Sequence, residues 1–288
     1  MNHLIIKEIN NFIGSKNIIK RKILSNSFGI ICERISLDNL TSFVVKYYNK
    51  NNYYFNAIKS EGDTLNYINK KFPNLFPSVK LLNKELLVMD DIEHNNVKNI
   101  DYQKILAEKV AKIHSINHQE FGFFFDTQIG GLKQPCGFND NWISFFCDKR
   151  LGMIFEEINK NNLMPSNINR DIEKLLNNIE NFIPKNPNIS LLHGDLWEGN
   201  ILFNNGDLVG LIDPGLYFGH NELEISYLTW FNYVDSQFLD HYSNIITIDR
   251  NYFSYEPIYQ LYFCLLNVHL WSREYIKNAK ELLKKIFN

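Results

Sequence analysis

The densest chemistry in this chain of 288 residues lies between His193 and Asp213. His193, Gly194 and Asp195 are followed by LWEG and then Asn200, and a second acid, Asp213, closes the apolar run Leu208 to Ile212. Such a set suits phosphoryl transfer, whose transition state needs little covalent help but has to be positioned and have its charge neutralised. Magnesium prefers few carboxylates together with neutral oxygens, phosphate and water. The Asp213 carboxylate and the Asn200 amide oxygen meet that requirement, which leaves Asp195 as general base for an acceptor hydroxyl. The bland alternative makes HGD a turn, Asn200 a helix cap and Asp213 a loop acid before Pro214.

The order His-x-Asp, then Asn, then a later Asp is that of a kinase catalytic loop, with Gly194 standing where such loops carry Arg. Two further residues fit the scheme. Phe43-Val44-Val45-Lys46 is a strand ending in lysine, and Glu61 lies on the helix expected after it, so Lys46 would contact ATP phosphates while Glu61 orients it. By itself a strand lysine is a solvated edge residue; the order Lys46, Glu61, HGD is what joins them. Upstream, Ser25-Asn26-Ser27-Phe28-Gly29 sits where a lid over the phosphates belongs; the loop holds one glycine, Gly29, but its backbone amides and the hydroxyls of Ser25 and Ser27 could approach phosphates. Leu86 to Met89 leads into Asp90, Asp91 and Ile92, and Met89 to Ile92 forms a candidate adenine edge.

These groups need two kinds of scaffold. Residues 4 to 13 are spaced as a short amphipathic helix, and 18 to 24, 29 to 35 and 41 to 48 are rich in β-branched and aromatic residues, as strands are. A helix over about 54 to 72 and strands at 79 to 82 and 85 to 89 complete a small β-rich lobe with one main helix, residues 1–91. From Tyr102 to His114 the apolar period becomes 3.6, a second helix starts near Asn141, and the tail from Pro257 to Phe287 is again helical. Turn signals at Asn204 to Gly206 divide two short strands around the HGD segment. The expected architecture is α+β and bilobal, with residues 92–288 as a larger, mainly helical catalytic and substrate lobe.

Bulk properties narrow the partners. With 30 basic and 32 acidic residues the formal charge is -2, which gives no electrostatic reason for nucleic acid or an anionic membrane. Cys32, Cys136, Cys147 and Cys264 form no CxxC pair, so neither a disulfide framework nor a zinc site is expected. No apolar run is long enough to span a bilayer, and the N-terminus lacks a signal-peptide core. The expectation is a soluble cytoplasmic protein, monomeric or weakly dimeric.

Several blocks together resemble the fructosamine kinases, also called ketosamine-3-kinases, within the aminoglycoside-phosphotransferase group of the protein-kinase-like fold. LLHGDLWEGNILF resembles their HGDLW-x-GN loop, LIDPGLYFGHNELEIS their IDPA-x-x-YGH-x-E-x-(D/E) block, and FGFFFDTQIGGLKQPCGFNDNWISFFCDKRLG their FGF…IG…QPNGW…W…FF…RLG stretch. The resemblance implies ATP and magnesium as cofactors, Asp195 as base, Asn200 and Asp213 as magnesium ligands, and Lys46 with Glu61 on the phosphates. It further implies Trp197, His220 and Glu222 on the substrate side, where a sugar adduct on a small-molecule or protein amine would be phosphorylated at its 3-hydroxyl. An aromatic platform and an acid near an ammonium suit such a substrate. Departures are Cys136 and Phe138 in the QPNGW loop, the sparse lid, and Trp271-Ser272 for a late Phe-Gly pair. Cys136 and Phe138 leave room for another hydroxylated amine, such as an aminoglycoside, choline or a modified nucleoside, and the glycine-poor lid leaves a catalytically silent pseudokinase acting as a binding module as a further alternative. Among the histidines, His193 orients the loop, His220 is a structural bond or a substrate contact, and His114 reads as a packed or capping residue.

Overall fold

The computed structural model describes residues 3–49 and 54–288; the first two residues of the expected N-terminal lobe, and its residues 50–53, lie outside them. The chain begins with α1 (His3–Ile13), β1 (Ile18–Ser27), β2 (Ile30–Leu37), β3 (Ser42–Tyr48), α2 (Ala57–Asn69), β4 (Val79–Leu82) and β5 (Leu86–Asp90). There follow α3 (Tyr102–His114), β6 (Thr127–Ile129), β7 (Leu132–Gln134), α4 (Trp142–Phe146), a π-helical turn (Cys147–Leu151), α5 (Gly152–Lys160) and α6 (Ser166–Leu176). The last part holds β8 (Ile189–Leu192), β9 (Ile201–Asn204), β10 (Asp207–Leu211), β11 (Tyr217–His220), α7 (Asn221–Trp230), α8 (Ser236–Ser243), α9 (Tyr252–Leu270) and α10 (Ile276–Phe287). These α+β elements cluster into two compact units, one of Met1–Asn99, Thr127–Lys133 and Gly199–Gly215, the other of Ile100–Asp126, Gln134–Glu198 and Leu216–Asn288. The first unit thus takes in two segments that lie well beyond residue 91 in sequence.

In the first unit an antiparallel sheet has the order β1-β2-β3-β5-β4. Ile5, Ile9 and Ile13 recur every four residues on α1 and so bury one face, against Ile35, Leu37, Val45, Leu86 and Val88 of the sheet. The edge strand β1 is exposed along most of its length and carries Lys20, Arg21 and Lys22, charges that discourage pairing with another chain. The helix α2 starts at Asn56, whose side-chain oxygen accepts the Lys59 N–H at 2.9 Å. Asn205 and Gly206, at φ 50° and 97°, form the two-residue turn between β9 and β10 that an Asn-Gly pair favours. The Asn95 and Asn96 amides clasp this hairpin by donating to the Phe203 carbonyl at 3.1 and 2.8 Å.

The second unit is built round α9, which is buried continuously from Ile258 to Val268 and therefore shows no amphipathic stripe. Trp142, Phe145 and Phe146 pack inward at the expected spacing, and the Trp142 indole donates to the Tyr259 hydroxyl at 2.9 Å. The helical tail is not continuous. It begins at Tyr252, breaks after Leu270 and restarts at Ile276, because the Ser272 hydroxyl caps a new turn by accepting the Glu274 N–H. Gly122 joins two segments, its N–H donating to the Phe218 carbonyl at 2.9 Å and its carbonyl accepting the Phe218 N–H at 2.7 Å. It sits at φ 124°, and a Cβ there would lie 2.7 Å from the Cys136 carbonyl oxygen. We expect Gly122→Ala to lower the unfolding free energy by about 2 kcal/mol or more in urea titrations, whereas Gly137→Ala, with open space around it, changes it by less than about 0.5 kcal/mol.

Candidate active site

In the first unit, Lys46 lies within strand β3, which runs on to Tyr48, and its ammonium meets two carboxylates. Nζ lies 2.8 Å from Glu61 Oε1 on α2 and 2.7 Å from Asp213 Oδ1 just after β10. Lys46 and Glu61 are buried, at 7% and 3% exposure, while Asp213 is partly open to solvent. Burial alone would lower the ammonium pKa, but the Asp213 and Glu61 charges reverse that and raise it, so Lys46 stays a cation. Glu61 is raised by burial, an effect that the Lys46 cation opposes and Asp213 reinforces. Cys32 faces Lys46 across the β2–β3 ladder, and burial pushes its thiol up to about 12.

Asn200 precedes β9 and Asp213 follows β10, so the hairpin brings the two to its open end. The Ile212 N–H donates to the Asn200 carbonyl at 3.0 Å, and Leu211 pairs with Ile201. Asp213 stands at φ 56°, a backbone geometry that short acids tolerate better than bulky side chains and that sets the carboxylate apart from the preceding strand. Among the described residues no three His, Cys, Asp or Glu side chains converge as a metal cage. One carboxylate and one amide oxygen are instead the donor set that suits magnesium, whose remaining ligands come from phosphate and water.

The lid is shorter than its sequence suggests. Ser25 to Ser27 continue β1, and the turn is only Phe28 and Gly29, at φ 52° and 75°, the paired positive values of a tight hairpin. The Asn49 N–H donates to the Gly29 carbonyl at 2.9 Å and holds the turn. At the candidate adenine edge, Met89 is buried in β5, Asp90 pairs with Lys80 at 2.9 Å, and Asp91 accepts from Arg34 at 2.8 Å. With both carboxylates engaged, the groups suited to a base are backbone and the Met89 and Ile92 side chains. Gly210 makes room for Ile92, since a Cβ there would fall 2.5 Å from Ile92 Cδ1.

In the second unit the HGD segment follows β8. Gly194 adopts φ 87°, which accounts for glycine at a position where an L side chain would be strained. The Glu224 carboxylate on α7 grips the turn: His193 N–H donates to Oε2 at 3.0 Å and Gly194 N–H to Oε1 at 2.6 Å. The Asp195 N–H donates to His193 Nδ1 at 3.3 Å, so His193 orients the loop as expected. Burial opposes ionisation of Glu224, yet the hydrogen bond from His114, with the Gly194 amide, holds its carboxyl below the usual range. Tyr227 lies within electrostatic range of Asp195, its phenol raised by burial and then by that carboxylate, and its ring stacks on Phe263 at 3.9 Å.

The expected substrate-side residues divide. Trp197 is exposed. His220 and Glu222 are buried and internally bonded: His220 Nδ1 meets the Tyr259 hydroxyl at 2.9 Å, and Glu222 accepts from the Asp249 N–H and the Tyr255 hydroxyl. Burial lowers His220 to about 3, so it is neutral. Glu224 and Tyr227 carried no assignment from sequence, although Glu224 is the last acid of the GHNELE block. In the 134–138 loop, the buried Arg150 donates to the Pro135 carbonyl at 2.8 Å and lies 3.8 Å over the Tyr217 ring, while Phe138 stacks on His118 at 4.6 Å.

Removing the Lys46 cation would leave the buried Glu61 without its counter-charge. We expect Lys46→Met to cost about 3 kcal/mol of stability, and Lys46→Met/Glu61→Leu to recover much of it, in chemical denaturation. Neither variant should regain phosphate transfer, because the recovered packing contains no cation.

Comparison with known proteins agrees with this geometry. The protein named probable ketoamine kinase from Vibrio cholerae is 32% identical over 182 residues, a match spanning 62% of this chain and 62% of that relative's length. The crystal structure of a provisionally assigned fructosamine-3-kinase from Thermobifida fusca superposes with a TM-score of 0.84 at 20% identity, covering 97% of each chain. The APH(2'')-IIa ternary complex with streptomycin and ATP has a TM-score of 0.64 at 17% identity, covering 99% of this chain and 96% of that one. The fold is thus that of aminoglycoside phosphotransferases and protein kinases. The fructosamine kinase family model matches residues 1–288, and the chain belongs to that family.

Proposed function

We propose that this chain is an ATP-dependent, magnesium-dependent kinase that phosphorylates a sugar adduct on an amine, a ketosamine, at the sugar 3-hydroxyl. The observation that carries the reading is the buried Lys46 held between Glu61 and Asp213, with Asn200 at the same hairpin end. Family membership and the ATP held by a structural relative support it.

Each residue then has a role. Lys46, oriented by Glu61, contacts the ATP phosphates. Met89 to Ile92 receive the adenine, and the Ser27 to Gly29 turn borders the phosphates. Asn200 and Asp213 would hold magnesium, which supplies charge neutralisation on the transferring phosphoryl group. Asp195 accepts the proton of the acceptor hydroxyl as its oxygen bonds to the γ-phosphorus and the bridge to ADP breaks. Trp197 offers a ring to the sugar amine. His220 and Glu222, bonded internally, support the substrate side from behind rather than touching the substrate. All these residues come from one chain, so a monomer or weak dimer suffices. Four free cysteines fit a reducing cytoplasmic setting.

A second reading, transfer to another hydroxylated amine, is favoured by Cys136 and Phe138 alone. Incubation with labelled ATP, magnesium, and a panel of fructosyl and ribulosyl amines, aminoglycosides and choline separates the two; transfer to the last groups but to no ketosamine would sink the first. Asp195→Asn should keep ATP binding, read by thermal shift, while turnover falls by about 10²–10⁴-fold. Asp213→Asn should weaken both binding and turnover. Normal turnover in Asp195→Asn would remove the base assignment.

A further inference from the structure

The geometry points to His114 as a positioning residue for the transfer reaction, acting through Glu224 on the backbone of the loop that carries Asp195. The inference rests on Asp195 as base but not on which acceptor is used.

His114 ends α3 and is 1% exposed. Its Nε2 lies 2.9 Å from Glu224 Oε2, the same oxygen that accepts the His193 N–H. Its Nδ1 lies 2.7 Å from the Tyr242 hydroxyl on α8, and that hydroxyl in turn accepts from Asn221 Nδ2 at 3.0 Å. One neutral tautomer satisfies every contact. Asn221 donates to Tyr242, Tyr242 donates its O–H to Nδ1, and Nε2–H donates to the carboxylate. The opposite tautomer would turn the Nε2 lone pair toward Glu224. Three helices therefore converge on one carboxylate, whose other contacts are the amides of His193 and Gly194. Without the imidazole, Oε2 keeps only the His193 donor beside a void the size of the ring. The carboxylate can then rotate, and Asp195, two residues along, moves with the turn.

The test combines amide hydrogen exchange with single-turnover transfer in the full chain. In His114→Ala, exchange should rise in a peptide covering Leu192 to Leu196 while β3 and α2 keep their protection. Transfer should slow by about 10–100-fold, with KM for ATP within about two-fold. His114→Gln, whose amide can donate to Glu224, should restore both readouts to within about five-fold of the parent. Tyr242→Phe, which keeps the ring and loses only the hydroxyl, should give an intermediate loss even if His114→Ala folds poorly. Unchanged exchange over Leu192 to Leu196, a rise spread evenly along the chain, parental transfer rates despite a loosened loop, or no recovery in His114→Gln would each overturn the assignment. Should the parent transfer to no ketosamine, only the acceptor reading fails. The exchange comparison, and transfer to whichever acceptor is used, still decide the role of His114.

Discussion

A buried carboxylate has to be surrounded by donors, because water cannot reach it and an unsatisfied charge in the interior costs several kcal/mol. Glu224 meets that constraint by facing two backbone amides of the HGD turn and one imidazole. The constraint works in both directions. The donors keep the glutamate ionised, and the glutamate fixes the turn, so the place of Asp195 follows from satisfying one side chain on a neighbouring helix. Gly194 is the local condition for this, since only a residue at ease with positive φ presents its N–H to Oε1 while the chain reverses.

Much of this was legible in the sequence where local chemistry decides local structure. The 3.6-residue period gave α3 its observed bounds, the Asn-Gly pair gave the β9–β10 turn, and the order of Lys46 and Glu61 pointed to a pair that the fold joins at 2.8 Å, whereas the contact of Lys46 with Asp213 carried no signal in sequence. What was not legible depends on partners distant in the chain. His114 looks like any histidine closing an apolar helix, and its function becomes visible only when α7 and α8 bring Glu224 and Tyr242 to its two nitrogens. His220 and Glu222 show the converse. The family resemblance set them on the substrate side, with a structural bond open for His220, and folding engages their polar atoms with Tyr259, Tyr255 and Asp249. The tail from Pro257 to Phe287 is helical in sequence pattern, but the break between Leu270 and Ile276 rests on one hydroxyl cap at Ser272, which an apolar period does not reveal.

The unusual loop at 134–138 has a physical explanation in Arg150. A fully buried guanidinium without a carboxylate would be costly, but this one donates to the Pro135 and Lys149 carbonyls and rests on the Tyr217 and Phe145 rings. The Cys136 sulfur joins this grip, accepting from Arg150 Nη2 at 3.6 Å and donating to the Gln134 carbonyl at 3.2 Å, so the cysteine has its own place in holding the loop. Phe138 likewise keeps an aromatic ring at the surface, stacked on His118, which in turn stacks on Phe218.

The Lys46 site has a consequence for traffic through it. One ammonium faces two carboxylates, so the place where the proposed function puts phosphates leans negative by one charge. A polyphosphate stripped of its cation would add like charge to like and be repelled, whereas one escorted by a divalent ion would arrive with its negative charge reduced and bring a partner for Asp213. On the proposed function the ion pair would act as an electrostatic filter, favouring a phosphate donor in its metal-bound form over a bare polyanion before any contact to base or sugar is made.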